Sequence, residues 1–490
     1  MGLTRSHLEQ CKKPGLINLV IEGQKQNETQ QKLIKALQKD NFELRGKVSR
    51  LSNIVKVQDK TIFGLTERLN HLEKNSQTSS KPPSRDENKP KRNQSLREKT
   101  GRKPGGQFGH KGTGRSHVEN PDIIISCEPA STCGQCGLEM DRRSSKIMER
   151  RQKIEVPPIK PVVTEYQKIR ITCSCGESHT GTFPEGINSN IQIGPRMKSF
   201  LLYFNVVQLI PYKRLSDVCT DIFGFSISKG SIENFLEQGT QKSMGLYQQI
   251  MQKLRRSPWI GADETTKKVG LRKWWEWVWQ NDDASYYAVE DSRGYKVVQK
   301  HLGENYEGTL IHDCYSAHNN TIAKSGHQQC HPHIQRDLKF LIEMYHCKWA
   351  YDLNKFLIAA QKARDKIWSN DFDKGLRQKI IRRYNSEFSR FLVKSSQQKD
   401  VLRLQKRMIK HQHSMLHFMT SSDIPYHNNG SERAIRMAKV KQKISGCFRS
   451  QRGAQRHSIL LSVIQTAKKQ NMNTLAAIQA LLAGTLSFSY

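Results

Sequence analysis

Asp263 and Asp313 each close a short apolar, strand-like run, WIGAD (259–263) and TLIHD (309–313). Acids at strand ends can face a substrate while the body of the strand stays packed. Either Asp alone is ordinarily a turn residue. Two carboxylates on neighbouring strands are different, because they repel unless a cation or proton lies between them. Glu264 competes with Asp263, but adjacent strand residues point to opposite faces, so only one of them can join Asp313. A possible third acid, Glu432, stands in HNNGSERAIRMAKVKQKISG (427–446) among Arg433, Arg436, Lys439, Lys441 and Lys443. On a helix, Glu432, Arg436, Lys439 and Lys443 share a face. Spacing alone favours an exposed Glu432–Arg436 pair worth roughly a few tenths of a kcal/mol. The functional reading makes Glu432 the third ligand of two Mg²⁺ ions, with the cations gripping phosphates.

Such residues need a sheet and a helix to hold them. After Pro258 the pattern predicts strands in WIGADETTKKVG, RKWWEWVWQND and ASYYAVEDS, a helix in GYKVVQKHL, and another strand in GTLIHDCYSAH. Together these give a mixed sheet with helices. The middle strand puts Trp275, Trp277 and Trp279 on one face and Trp274, Glu276 and Val278 on the other. Most of these tryptophans are packing residues, and an exposed one could stack on an unpaired base.

Upstream, Leu37, Leu44, Leu51, Leu65 and Leu72 recur at multiples of seven, with Ile34, Val48, Val55, Ile62 and Leu69 in the second register and polar Asn41 and Gln58 at core positions. This is coiled-coil patterning and predicts self-association, the alternative being a helix folded back on its own chain. Residues 81–115 then carry eleven Lys or Arg against three acids. Such a segment follows a phosphate backbone as an arm or linker, and GRKPGG, with Arg102 and Lys103, suits a minor groove. Cys133-x-x-Cys136 and Cys173-x-Cys175 offer four thiolates for a structural zinc, with His179 or Cys127 as substitutes. The intervening KIEVPPIKPVVTEYQKIRIT alternates like strands. RLSDVCTDIFGFSISKGSIENFLE (214–237) reads as two helices broken at Gly224, the second capped by Ser228 and carrying Ile232, Phe235 and Leu236. Either a groove-reading helix-turn-helix or two packed helices gives that pattern.

The 490-residue chain has Lys and Arg exceeding Asp and Glu by 80 to 45, a formal charge of +35. Its length predicts several folded units, and its charge predicts a polyanionic partner, nucleic acid before a membrane surface. No run reaches the roughly 18 apolar residues of a spanning helix, and MGLTRSHLEQCKKPG lacks the apolar stretch of a secretory leader. Eleven cysteines in so long a chain suit cytosolic thiols or metal ligands.

GADET, IHDCYSAH, QQCHPHIQRDLKFL and HNNGSERAIRMAKVKQKISGCFRSQRGAQRHSILLSVIQTAKKQ resemble the insertion-sequence-66 family of bacterial transposases. SSKPPS, GRKPGGQFGHKG, CGQCG and GPRMKSFLLYFNVVQLIPYKRLSDV are similar to that family's upstream modules, in order from about Lys81 to the C-terminus. The resemblance implies an RNase H-like catalytic fold whose D-D-E triad is Asp263, Asp313 and Glu432. The 118 residues between Asp313 and Glu432 are too many for a loop, and their helical part reads as an insertion. Two departures stand out. The second cysteine pair is C-x-C, and His331 occupies the family's tryptophan position. A Cys330, His331, His333 metal cluster is weighed against His333 as a family histidine near the active site, and the latter is preferred.

The resulting expectation is a multidomain α+β protein: coiled coil (28–74), basic linker or DNA-binding arm (75–118), small zinc-binding β domain (119–190), helix-turn-helix-like helical domain (191–256), RNase H-like α/β catalytic core (257–345 and 421–490) and helical insertion (346–420). It would cut element ends and join them to target DNA using two Mg²⁺ or Mn²⁺ ions about 3.5–4 Å apart. The alternative is an inactive DNA-binding derivative. Cys133, Cys136, Cys173 and Cys175 would hold Zn²⁺. Arg102, Lys103, Lys111, His333, Arg433, Arg436, Lys439 and Lys443 would contact DNA. Expected partners are terminal inverted repeats, target DNA, a second copy through the coiled coil and small accessory proteins, with no membrane, in the bacterial cytoplasm at the nucleoid.

Overall fold

A computed structural model describes residues 13–73, 108–109, 116–141, 143, 145–157, 159–369, 372–392 and 398–489. Two compact units are present. One contains a 61-residue helix, α1 (Lys13–Glu73), and residues Arg336–Cys347. Its only proline, Pro14, lies in the first turn, where a missing N–H costs nothing. Along α1 the heptad leucines stay exposed, Leu37 at 58% and Leu51 at 61%.

The other unit begins with a stretch poor in regular structure, where β1 (Arg170–Thr172) pairs antiparallel with β2 (Ser178–Thr180). Residues 153–169, which alternate like strands in sequence, contain no strand among the described residues. Pro157 and Pro161 remove ladder donors there, so alternation alone does not make a ribbon. Helix α2 (Pro195–Leu202) runs into a π-helical turn (Tyr203–Val207), followed by α3 (Tyr212–Phe223) and α4 (Lys229–Arg255). Gly224 ends α3 in the left-handed region at φ 70°, and the Ser228 hydroxyl caps α4 by accepting the Ser231 N–H at 3.0 Å.

The sheet follows. Its strands are β3 (Trp259–Val269), β4 (Arg272–Gln280) and β5 (Ser285–Glu290), then, after α5 (Tyr295–Leu302) and the short β6 (Asn305–Tyr306), β7 (Thr309–His312). After α6 (Ser316–Asn319) and β8 (Ile322–Ala323), which pairs with β6, comes β9 (Gly326–Gln329). The order is β5-β4-β3-β7-β9; β4 runs antiparallel to β5 and β3 on either side of it, and β7 and β9 run parallel to β3. Trp277 and Trp279 are fully buried and stack at 5.7 Å in the core that includes Val298 and Leu302 of α5. As expected, these tryptophans are packing residues.

Beyond β9 the chain is helical: α7 (His331–Tyr345, from Arg336 onward part of the first unit), α8 (Lys348–Ser369), α9 (Lys374–Leu392), α10 (Lys399–Lys410) and two 3-10 turns. It returns to the sheet with α11 (Asn429–Ser445), α12 (Gln451–Lys469) and α13 (Thr474–Ala483). Helix α12 covers the outer edge of β5. Its Ser462 hydroxyl accepts the Tyr287 N–H at 2.9 Å and its Thr466 hydroxyl accepts that of Ser285 at 3.1 Å, occupying donors that an open edge would leave for another strand. Among the described residues no helix is long and apolar enough to cross a membrane.

Candidate active site

The parallel register sets the site. Trp259, Ile260 and Gly261 of β3 pair with Thr309, Leu310 and Ile311 of β7, and continuing that register brings Asp263 opposite Asp313 on the same sheet face. Asp313 lies just past the end of β7. Asp263 does not end a strand as its sequence suggested: β3 runs on to Val269, paired with β4 and bridged at its far end to Phe448. What ends near Asp263 is the pairing with β7. The sheet therefore opens beside Asp263 while β4 still supports it. The Asp263 Oδ1 accepts the Glu264 N–H at 2.8 Å, and the Asp313 Oδ1 accepts that of Tyr315 at 3.1 Å.

Glu432 reaches this face because α11 starts against β3 with little space between them. A Cβ at Gly261 would lie 2.5 Å from Asn428 Oδ1 and 2.7 Å from Ser431 Oγ, so only glycine admits the helix this close. The Asn428 amide donates to the Ala262 carbonyl at 2.7 Å, and the Asn428 carbonyl accepts the Glu432 N–H at 3.1 Å. Glu432 lies in the first turn of α11, where the helix dipole favours an anion. Its Oε1 is 3.0 Å from His333 Nε2. The sequence-level pairing of Glu432 with Arg436 thus gives way to a contact with His333, itself expected to touch DNA.

The electrostatics follow from this convergence. Removal from solvent, then Asp313 and Glu264, with Glu432 adding to them, hold the Asp263 carboxyl well above the ordinary carboxylate range. No ion pair to Asp263 or Asp313 occurs among the described residues. Glu264 projects to the other face. There Arg293 donates to its Oε1 at 2.5 and 2.8 Å, and His318 lies 2.9 Å from its Oε2. Burial opposes ionisation of Glu264, but His318 and Arg293 outweigh it and keep its pKa below the usual value. Arg293 also stacks on Tyr315 at 3.7 Å and Trp275 at 4.8 Å, tying the turn after Asp313 to the sheet.

Farther along the Asp263 face lies a cationic cluster that the charge pattern alone did not separate from surface lysines. Lys267 is 2% exposed and pairs with fully buried Glu276 at 2.6 Å. Lys441 of α11 points inward, and burial, with Lys267 beside it, brings its pKa down to about 8. Arg433, Arg436 and Lys443 are exposed and Lys439 is half-buried.

Arg102, Lys103 and Lys111 lie outside the described residues. Cys133 and Cys173 begin similar turns: the Cys133 carbonyl accepts the Gly137 N–H, and the Cys173 carbonyl accepts that of Gly176, each at 2.9 Å. Backbone N–H groups of Gln135 and Cys136 lower the Cys133 pKa, and that of Cys175 lowers Cys173. Cys133, Cys136, Cys173 and Cys175 do not form a group of sulfurs within 4.8 Å among the described residues. On α4, the exposed residues Lys229, Glu233, Asn234 and Gln238 include an acid, and Glu233 is held by Arg456 at 3.0 Å.

Residues missed in sequence are those that dock α11: Gly261, Asn428, Ser431 and Gln280, whose amide donates to Ser431 Oγ at 3.3 Å. The glycine within an apolar strand run was the available signal, since strand glycines mark close backbone approach.

An uncharacterized protein of Sinorhizobium fredii, y4hP, is 24% identical over 410 residues, covering 75% of this chain and 72% of that protein. Residues 25–116 match a family of unknown function, DUF6444. Residues 190–456 match the transposase IS66 family model, a span that includes Asp263, Asp313 and Glu432. With more than half of its length covered by that match, the chain belongs to the IS66 family of transposases.

Proposed function

We propose that this transposase is a D-D-E enzyme that cleaves the ends of its element and joins them to target DNA, with Asp263, Asp313 and Glu432 as the metal-holding acids. The observation that carries the reading is the Asp263–Asp313 register, together with the charge that Glu432 adds to it from α11. Carboxylate oxygens brought together in this way suit a hard cation such as Mg²⁺ or Mn²⁺. When bound, the two ions supply charge stabilisation to the incoming and leaving oxygens of an in-line displacement at phosphorus. The protein's own contribution is placement. The sheet fixes the two aspartates, the glycine contact fixes α11, and His333 orients Glu432 through Oε1. Arg436 and Lys443, which are exposed, would meet phosphates.

The sheet order, three antiparallel strands followed by two parallel ones, supports an RNase H-like core, with α8–α10 as its insertion. The same reading includes Zn²⁺ at Cys133, Cys136, Cys173 and Cys175, supported by the paired turns, and self-association through the exposed heptads of α1. Partners would be terminal inverted repeats, target DNA and small accessory proteins, at the nucleoid.

Purified protein is assayed for end cleavage and strand transfer on a DNA carrying the flanking inverted repeats. Mg²⁺ should support both reactions and EDTA should stop both. Retained cleavage by Glu432→Gln would sink the assignment, and cleavage without joining would make the protein a nuclease.

A further inference from the structure

Cys330, His333 and Glu432 each offer one ligand atom, and the three atoms lie within 4.8 Å of one another. Three separate elements bring them together. Cys330 directly follows β9, its N–H bonded to the His312 carbonyl at 2.9 Å; His333 lies in the first turn of α7, and Glu432 in that of α11. The Cys330 sulfur accepts the Asn428 N–H at 3.2 Å, an outer contact of the kind that orients a metal-bound sulfur. Cys330 is 1% exposed and closes the inner side, whereas the side chains of His333 and Glu432 are 21% and 29% exposed and leave a way in. His331 is not part of the group: its Nε2 is 2.7 Å from the Met415 carbonyl and its Nδ1 2.9 Å from the Gln361 amide.

We propose that Cys330, His333 and Glu432 form a site for a thiophilic divalent cation, Zn²⁺ above all, and that its occupation draws Glu432 away from the catalytic acids and holds the transposase inactive. The second half rests on the reading of Glu432 as the third acid; the first half does not. Sulfur, imidazole nitrogen and carboxylate oxygen are the donors Zn²⁺ takes, whereas Mg²⁺ prefers oxygen and water. Three protein ligands leave a fourth position for water. Binding releases the thiol proton to solvent, and the resulting thiolate and the carboxylate balance the charge of the ion. Coordination of both His333 and Glu432 replaces the hydrogen bond they share.

The test uses full-length protein freed of metal by dialysis against a chelator and titrated with Co²⁺ as the spectroscopic probe. The wild type should take up one more Co²⁺ than Cys330→Ser, with a sulfur-to-cobalt charge-transfer band that Cys330→Ser lacks. His333→Ala should weaken this uptake by about tenfold or more. Because other cysteines also bind cobalt, the difference between variants is what is read. Equal uptake and equal spectra in wild type and Cys330→Ser would overturn the site. In Mg²⁺-supported end cleavage, added Zn²⁺ should inhibit the wild type and a chelator selective for Zn²⁺ should restore it. Inhibition that leaves Glu432 unliganded, seen as an undiminished cobalt site in Glu432→Gln, would overturn the regulatory half. Should Glu432→Gln still cleave DNA while the Cys330-dependent cobalt band persists in the wild type, the acid assignment fails and the metal site stands.

Discussion

Asp263 and Glu264 are neighbours on β3, yet the two faces of the sheet treat them in opposite ways. Glu264 meets Arg293 and His318, is fully neutralised, and has its pKa lowered. Asp263 meets Asp313 and Glu432 and has its pKa raised. A carboxylate used for packing is given its cation by the fold, because an unpaired buried charge is costly. A carboxylate left among other carboxylates is held back from ionising until a cation from outside offsets the charge. Glu276, paired with Lys267 on the Asp263 face, shows that the distinction belongs to local partners and not to the face as a whole.

The sharpest test of this contrast is activity. Asp263→Asn, Asp313→Asn or Glu432→Gln should lower end cleavage by about 10³-fold or more while element-end binding, followed by gel shift, stays near wild type. Next, breaking the neutralised pair should act on stability. Lys267→Met should cost about 3–5 kcal/mol in chemical denaturation, and Lys267→Met with Glu276→Leu should recover most of it. Gly261→Ala adds a methyl where α11 enters, so a loss of about 1–3 kcal/mol is expected, with cleavage falling further than stability alone explains.

Asp263→Asn should do the reverse and raise the metal-free Tm by about 2 °C or more, abolishing any Mg²⁺-induced rise. The sign follows from linkage. With a folded-state pKa above the ordinary 3.8, Asp263 makes the folded chain bind more protons than the unfolded one, so its contribution to stability is lost as pH rises from 3.8 through the folded value. Differential scanning fluorimetry across that range should show the wild type losing more than Asp263→Asn. The smallest effect concerns the outer cations. Arg436→Ala or Lys443→Ala should weaken DNA binding evenly across sequences and reduce the salt slope by about one.

Much of the sheet was legible because WIGADETTKKVG, RKWWEWVWQND and ASYYAVEDS alternate clearly and end at polar turns. The two helices flanking Gly224 were legible for a similar reason, since Gly224 and Ser228 are local signals. Asp263 was misjudged as a strand end because sequence shows apolar runs and not partners: β3 continues as a polar strand, DETTKKV, sustained by β4. The stretch 153–169 misled in the opposite sense, alternating without a partner. The seating of α11 on Gly261 was not legible, since it depends on contacts between residues more than 160 positions apart. The inward turn of Lys441 was hidden for the same reason.

The shared register of β3 and β7 also governs where the chain tolerates length change. Residues added in the turns before Thr309 leave Asp313 opposite Asp263. Deleting a single residue within Thr309–His312 would rotate Asp313 toward the side of Glu264, Arg293 and His318. Copies of this element that have drifted by insertion and deletion should therefore lose chemistry abruptly at four positions and hardly at all in the turns beside them.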